Sequence, residues 1–272
     1  MVAHMSSAVI LQHVAHAGPG RIVPIFRDYG IPVSVRNLDR GDEVPTDLDE
    51  VRVLIVLGGG FSIADVGNEK YPFLAKEVEV LKRLIAADRP VLGIGFGAQL
   101  LAHAAGAKVY PNVTGGGKTG QPETPAPEYG WAPVTFPFPG GTEPIVTGMT
   151  DGSMMFHWHR DTFDLPRLPP PPNAPPPPAP PPPAGNALLS SSRLCKNQVF
   201  RFKNRLFGFQ YHFELTEAGI EAFISAGKSE IAAVLGSDGE KTIRQETTRN
   251  YPRYARQGER LVRNFVQFLK VY

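Results

Sequence analysis

The sequence predicts an α/β fold, a mostly parallel central sheet flanked by helices on both faces, and three observations carry that expectation. Short apolar runs such as "SAVILQHVA" and "VRVLIVLGGG" alternate with segments whose apolar residues recur at helical spacing. Two strand-like runs end in glycine turns, at Gly58 to Gly60 and at Gly95, and α/β folds open their ligand sites beyond the carboxyl ends of such strands. At 272 residues and 42% hydrophobic content, the chain can bury a substantial core in one large domain.

Taken in order, "SAVILQHVA" reads as a first strand and "GRIVPIFRDYG" as a helix with Ile22, Ile25 and Phe26 at helical spacing. "IPVSVRN" and "VRVLIVLGGG" read as strands. "YPFLAKEVEVLKRLIAADR" then places Phe73, Leu74, Val78, Leu81, Leu84 and Ile85 on one helical face, and the strand "PVLGI" follows. The Gly/Pro/Thr-rich segment from Gly115 to Pro127 reads as a loop. "GWAPVTF", "SMMFHWH", "NQVFRFKN" and "LFGFQYHF" read as shorter strands, and "TEAGIEAFISAGKSEIAAVL" and "NYPRYARQGERLVRNFVQFLKVY" as closing helices. Between them, "PRLPPPPNAPPPPAPPPPA" can form neither helix nor sheet and is expected to be a polyproline insertion at 166–184. It is a tolerated surface loop or a ligand for a partner that recognises proline-rich segments. Residues 1–235 are expected to form the domain, and 236–272 a helical extension packed on it.

Charge and composition exclude several functions. With 28 Lys/Arg against 26 Asp/Glu, interleaved throughout, the formal charge of +2 offers no basic face for nucleic acid or an anionic membrane. The apolar stretches are interrupted well before the ~20 residues of a spanning helix. A single cysteine, Cys195, and no recognisable secretory leader point to a cytoplasmic protein without a disulfide framework.

Local spacings leave alternatives open. Gly93, Gly95 and Ala98 satisfy the G-x-G-x-x-G/A spacing of dinucleotide-binding turns, yet no acidic residue follows at the distance needed to hold a ribose. "GGGKTG" fails as a phosphate loop because Asn112 stands where its first glycine belongs. On a strand, His157, His159 and Asp161 would share one side, but a metal site there would need further ligands such as His212 and Glu214. His13 and His16 read as packed or solvent-facing, and Trp131 and Trp158 as core aromatics. No metal or cofactor is expected.

Taken in order, "LGGGFSI", "YPFLAKE", "PVLGIGFGAQLLA", "GWAPV", "FHWHRDTFDLP", "NQVFRF" and "FGFQYHFE" resemble the class I glutamine amidotransferases, the Cys-His-Glu family related to the glutaminase domain of GMP synthase. The similarity extends from about Ile10 to Glu221. That family writes its strand-to-helix nucleophile elbow G-x-C-x-G, whereas this sequence reads Gly93-Ile94-Gly95-Phe96-Gly97, with Gly95 at the cysteine position. The resemblance implies His212 as base and Glu214 as its orienting acid, two apart on one strand so that both face the elbow. It also implies an oxyanion hole from the backbone N–H groups of Gly59 and Phe96, with Gln99, His159 and Asp161 holding glutamine. The chain is then expected to be a pseudoenzyme that keeps a glutamine-like ligand and whose partner is a separate acceptor or synthetase protein. An enzyme in which His212 activates water directly is the alternative. Cys195, remote in sequence, is a poor substitute nucleophile.

Overall fold

The structure, a computed structural model, describes residues 7–115, 122–167 and 186–271; most of the predicted proline-rich insertion lies outside them. The first half alternates strand and helix: β1 (Ser7–Gln12), α1 (Ile22–Asp28), β2 (Val33–Asn37), β3 (Val51–Val56), α2 (Pro72–Ala86), β4 (Val91–Ile94) and α3 (Phe96–Ala104). Short strands follow, β5 (Val109–Pro111), β6 (Val113–Thr114) and β7 (Thr124–Pro125), and then the longer β8 (Glu128–Thr135) and β9 (Ser153–His159). β10 (Asp161–Phe163), β11 (Asn186–Ser192), β12 (Val199–Phe202) and β13 (Leu206–Phe209) precede α4 (Glu217–Ala226), α5 (Lys228–Leu235) and α6 (Gly239–Val271).

One nine-stranded sheet runs β2-β1-β3-β4-β13-β12-β11-β8-β9. Its pairs are parallel from β2 through β13 and antiparallel from β13 through β9. Parallel neighbours need a crossover, which α1, α2 and α3 supply, whereas β12 and β13 are joined by a tight turn at Lys203, whose φ is +50°. The predicted α/β class with two covered faces holds, and the sheet is mixed rather than parallel to its edge.

Alternation along the buried strands sends Ala8, Ile10, Val53, Ile55, Leu92, Ile94, Phe207 and Phe209 into one core layer with α1, α4, α5 and α6. Val9, Leu11, Val51, Leu54, Val56, Val91 and Leu206 enter the other, under α2 and α3. The helix read over "TEAGIEAFISAGKSEIAAVL" is two helices. They meet at Gly227, where only glycine fits, since a Cβ there would lie 2.1 Å from Trp158 Cζ2. The last helix begins at Gly239, earlier than the spacing of "NYPRY" suggests, and contains Pro252. Tyr254, Leu261 and Phe265, all buried in the first layer, hold it against the sheet beyond the ladder bond that proline removes.

α3 approaches β3 and β4 closely enough to exclude side chains. A Cβ on Gly97 would stand 2.0 Å from Val56 O, and one on Gly93 2.4 Å from Gly97 O. Gly97→Ala is therefore expected to push α3 off the sheet, at a cost at or above the ~1–3 kcal/mol typical of overpacking. Thermal unfolding should show a clear fall in Tm, and an unchanged Tm would contradict the close approach.

Candidate active site

The turn from β4 into α3 puts Gly95 at φ +59° and ψ −120°, a backbone conformation that L side chains rarely adopt. Gly95 N–H donates to Phe209 O at 2.8 Å, which anchors the bend to β13. A Cβ built on Gly95 would point at His212, 3.1 Å from Nε2 and 3.2 Å from Cε1. The bend thus aims any side chain it carried at that imidazole. Here it carries none.

His212 follows β13 and holds its place through a single bridge to β9, its N–H donating to Phe156 O at 2.8 Å. The stretch is not the regular strand expected, and Glu214 does not face the elbow. Glu214 instead sits behind the ring, with Oε1 2.7 Å from His212 Nδ1 and Oε2 accepting from Phe213 N–H at 2.9 Å. Both side chains are 2% exposed. A carboxylate on Nδ1 fixes the proton there and leaves Nε2 as the acceptor toward Gly95.

After β3, Gly58 meets that same edge of the ring, where a Cβ on it would lie 3.0 Å from His212 Cε1, and Gly59 and Gly60 follow it. Beyond them opens a cleft of about 320 Å³, lined by Gly59, Phe96, Gln99, Trp158, His159 and Asp161 among others. Phe96 is the first residue of α3, where a helix has N–H groups without intrahelical acceptors. Gln99 Nε2 donates to Gln210 Oε1 at 3.3 Å and lies 3.5 Å from Asp161 O. Asp161 opens β10, off the strand that carries His157 and His159, and its side chain is half-buried at the cleft.

His159 is turned away from solvent. Its Nε2 lies 3.1 Å from Glu128 Oε2 and its Nδ1 3.1 Å from Asp161 O. His157 shares that side of β9 and is buried with it, as the spacing predicts, but neither approaches the His212–Glu214 pair as a ligand set. Burial, only partly countered by the Glu128 charge, lowers the His157 pKa to about 4. Sequence reasoning missed Glu128 and Gln198, which complete this cluster. It also missed a second buried pair: His13 Nε2 lies 3.0 Å from Glu77 Oε1 and its Nδ1 3.2 Å from Gly58 O, under the glycine turn. Of the other aromatics, Trp131 packs in the core as expected, and Trp158 packs against that core while also lining the cleft with the half-buried His16.

Cys195 is fully buried, with Sγ 3.3 Å from Thr162 Oγ1, and burial pushes its pKa up to about 11. At pH 8 about one thiol in a thousand would be ionised. Native protein should therefore resist a thiol alkylating reagent at that pH and label fully once denatured. Rapid labelling of the native chain would contradict the burial.

Residues 21–222 match the sequence pattern of the glutamine amidotransferase class-I family. A glutamine amidotransferase-like protein of Salmonella typhimurium, YfeJ, is 25% identical over 88% of each chain. A subunit of the glutamine-hydrolyzing GMP synthase of Haloarcula marismortui is 27% identical over 73% of this chain and 82% of its own. Among solved structures, a glutamine amidotransferase from Thermotoga maritima superposes with a TM-score of 0.72 at 25% identity, covering 97% of this chain and 99% of that one. A glutamine amidotransferase from Methylobacillus flagellatus, at 22% identity and a TM-score of 0.75 over 97% and 95%, shares the fold. No helix among the described residues is long and apolar enough to cross a membrane.

Proposed function

The chain belongs to the glutamine amidotransferase class-I family, and we propose that within it this protein binds glutamine or a γ-glutamyl compound without ordinary glutaminase turnover. In this reading Gly95 occupies the nucleophile's position, His212 is the base that would have served it and Glu214 orients that base. Gly59 and Phe96 offer backbone N–H groups to the ligand's amide oxygen, while Gln99, His159 and Asp161 shape the pocket. The observation that supports it most is the aim of the bend: the Gly95 Cβ direction ends 3.1 Å from His212 Nε2, whose other nitrogen rests on Glu214. A base set against an empty position can abstract no nucleophile proton. No acyl-enzyme forms on that atom.

Calorimetry of the full chain with L-glutamine is expected to give a saturable isotherm, weakened at least about tenfold by Trp158→Ala at the cleft wall. An isotherm without saturation at millimolar glutamine would overturn the binding reading.

A second reading rests on the intact His212–Glu214 pair, which could take a proton from water rather than from a side chain. It requires measurable amide hydrolysis by the unmodified chain, abolished by His212→Ala. In that reading the ammonia goes to a small-molecule acceptor or to a separate synthetase subunit, the second being the arrangement that the name of the Haloarcula relative, one subunit of its synthase, gives for that protein. A cytoplasmic location remains part of the same proposal.

A further inference from the structure

Behind the cleft wall, β8 and β9 bury three groups of metal-ligand type against one another: Glu128, His157 and His159, with ligand atoms all within 4.8 Å. Each imidazole has one nitrogen against a main-chain carbonyl. His157 Nε2 is 3.3 Å from Ala132 O, and His159 Nδ1 is 3.1 Å from Asp161 O. A carbonyl only accepts, so those nitrogens carry the protons. In the neutral rings the inner nitrogens, Nδ1 of His157 and Nε2 of His159, then present bare lone pairs. They face Glu128 Oε2 at 3.8 Å and 3.1 Å. Outer N–H groups held by carbonyls and inner lone pairs converging on a carboxylate make the hydrogen-bond pattern of metal-bound histidine.

The protein's own groups do not satisfy this arrangement. Gln198 Nε2 stands at a fourth corner of it, 2.6 Å from Glu128 Oε2, 3.0 Å from Ser192 Oγ, 3.4 Å from His157 Nδ1 and 3.5 Å from His159 Nε2. An amide nitrogen has two hydrogens for these four neighbours. Gln198 Oε1, on a residue that is 0% exposed, has no partner. A cation among these corners would relieve the crowding. If the amide turns over and a cation takes the centre, Oε1 becomes a ligand and the lone pairs are used.

The geometry points to a buried structural site for a divalent ion of the zinc type, held by His157 Nδ1, His159 Nε2, Glu128 Oε2 and Gln198 Oε1. Two imidazoles, a carboxylate and a carbonyl oxygen form a set that zinc accepts in tetrahedral geometry. Metal–ligand bonds of about 2.0–2.1 Å place tetrahedral ligands about 3.3 Å apart. Measured from Glu128 Oε2, the present separations of 3.1 Å to His159, 3.8 Å to His157 and 2.6 Å to the Gln198 amide need shifts of a few tenths to about seven-tenths of an ångström. The ion would tie β8 and β9 to the segment ahead of β12 and stiffen the turn at Asp161 that lines the cleft. It belongs to the scaffold and takes part in no reaction. The cluster differs from the one that sequence spacing suggested: Asp161, His212 and Glu214 are not in it.

The test unfolds the full chain, refolds it with either a chelator or equimolar zinc chloride, desalts it and measures zinc by atomic emission. About one zinc per chain, a higher Tm than the chelator-refolded protein, and at least about tenfold less zinc in Glu128→Gln and in His157→Phe are expected. Less than a tenth of an equivalent in the wild-type chain would overturn the proposal, leaving the direct His159–Glu128 contact as the whole content of the site. Equal zinc in the wild type and both variants would also overturn it, by placing the ion elsewhere. If the variants do not fold, refolding the wild type with cobalt chloride decides. Intense four-coordinate visible bands support the site, and the weak spectrum of six-coordinate cobalt, or none, refutes it.

Discussion

Gly95→Cys is expected to turn a chain that glutamine-like electrophiles leave untouched into one they label covalently at residue 95. The new Cβ would lie 3.1 Å from His212 Nε2, so the ring must give by a few tenths of an ångström before the thiol seats beside it. The φ of +59° is the larger strain, and β4 and α3 already hold the backbone there. Removing the nucleophile of a serine protease costs about a million-fold in turnover, roughly 8 kcal/mol of barrier. A revertant need recover only part of that, and a rise in ammonia release of at least about a hundredfold over the unmodified chain is expected. Adding His212→Ala to the revertant should remove roughly two to four orders of magnitude, the usual contribution of a general base. Intact-mass analysis gives a clean readout, because the buried Cys195 thiol stays protonated. A folded revertant that neither labels nor releases ammonia would mean that the site has lost more than its sulfur.

The second large effect is on stability. Glu77→Ala should cost about 2–3 kcal/mol, because it strips the buried His13 ring of its hydrogen-bond acceptor. His13 and Glu77 are both 0% exposed, and the rings of Phe61, Phe73 and Phe96 surround the imidazole. For a chain of this size, that is a Tm fall of several degrees. Replacing both partners by apolar residues, His13→Phe with Glu77→Leu, should be far milder than either single loss. The pair also sets a pH dependence. Burial lowers the His13 pKa, but the Glu77 charge and hydrogen bond, with the Gly58 and Leu57 carbonyls, outweigh it, so the net shift is upward. A raised folded pKa gives stability that is fully present below the unfolded value of about 6.5 and is lost as pH rises through the folded value. Denaturant titrations should show that loss on the alkaline side in the wild type and not in the double variant. Equal pH profiles would show that His13 is neutral throughout.

Much of this arrangement was legible in the sequence because its signals are local. The strand-to-helix turn could be read from Gly93-Ile94-Gly95-Phe96-Gly97 alone, and the family resemblance made it an elbow rather than a dinucleotide-binding turn. His157 and His159 were rightly placed on one side of a strand by the two-residue period of β structure. Residues joined only by topology were not legible. Glu128 reaches the histidines because β8 pairs with β9 in one register, Gly130 opposite His157, and Gln198 arrives through β12 from the other side. His13 and Glu77 meet across β1 and α2, and no spacing rule joins those positions. Trp158 is polar at one edge and packed at the other, so its type alone could not show that it lines the cleft. The need for glycine at residue 227 has the same origin: a helix pattern runs through it, and the ring of Trp158 takes the space a side chain would need.

Whether the empty bend at Gly95 disables amide hydrolysis is tested most directly by following ammonia release from saturating L-glutamine by the unmodified 272-residue chain, with calorimetric binding measured on the same sample. Saturable binding with ammonia at the uncatalysed rate is the predicted result. Turnover of about one per second or faster, within the ordinary enzymatic range, would contradict it.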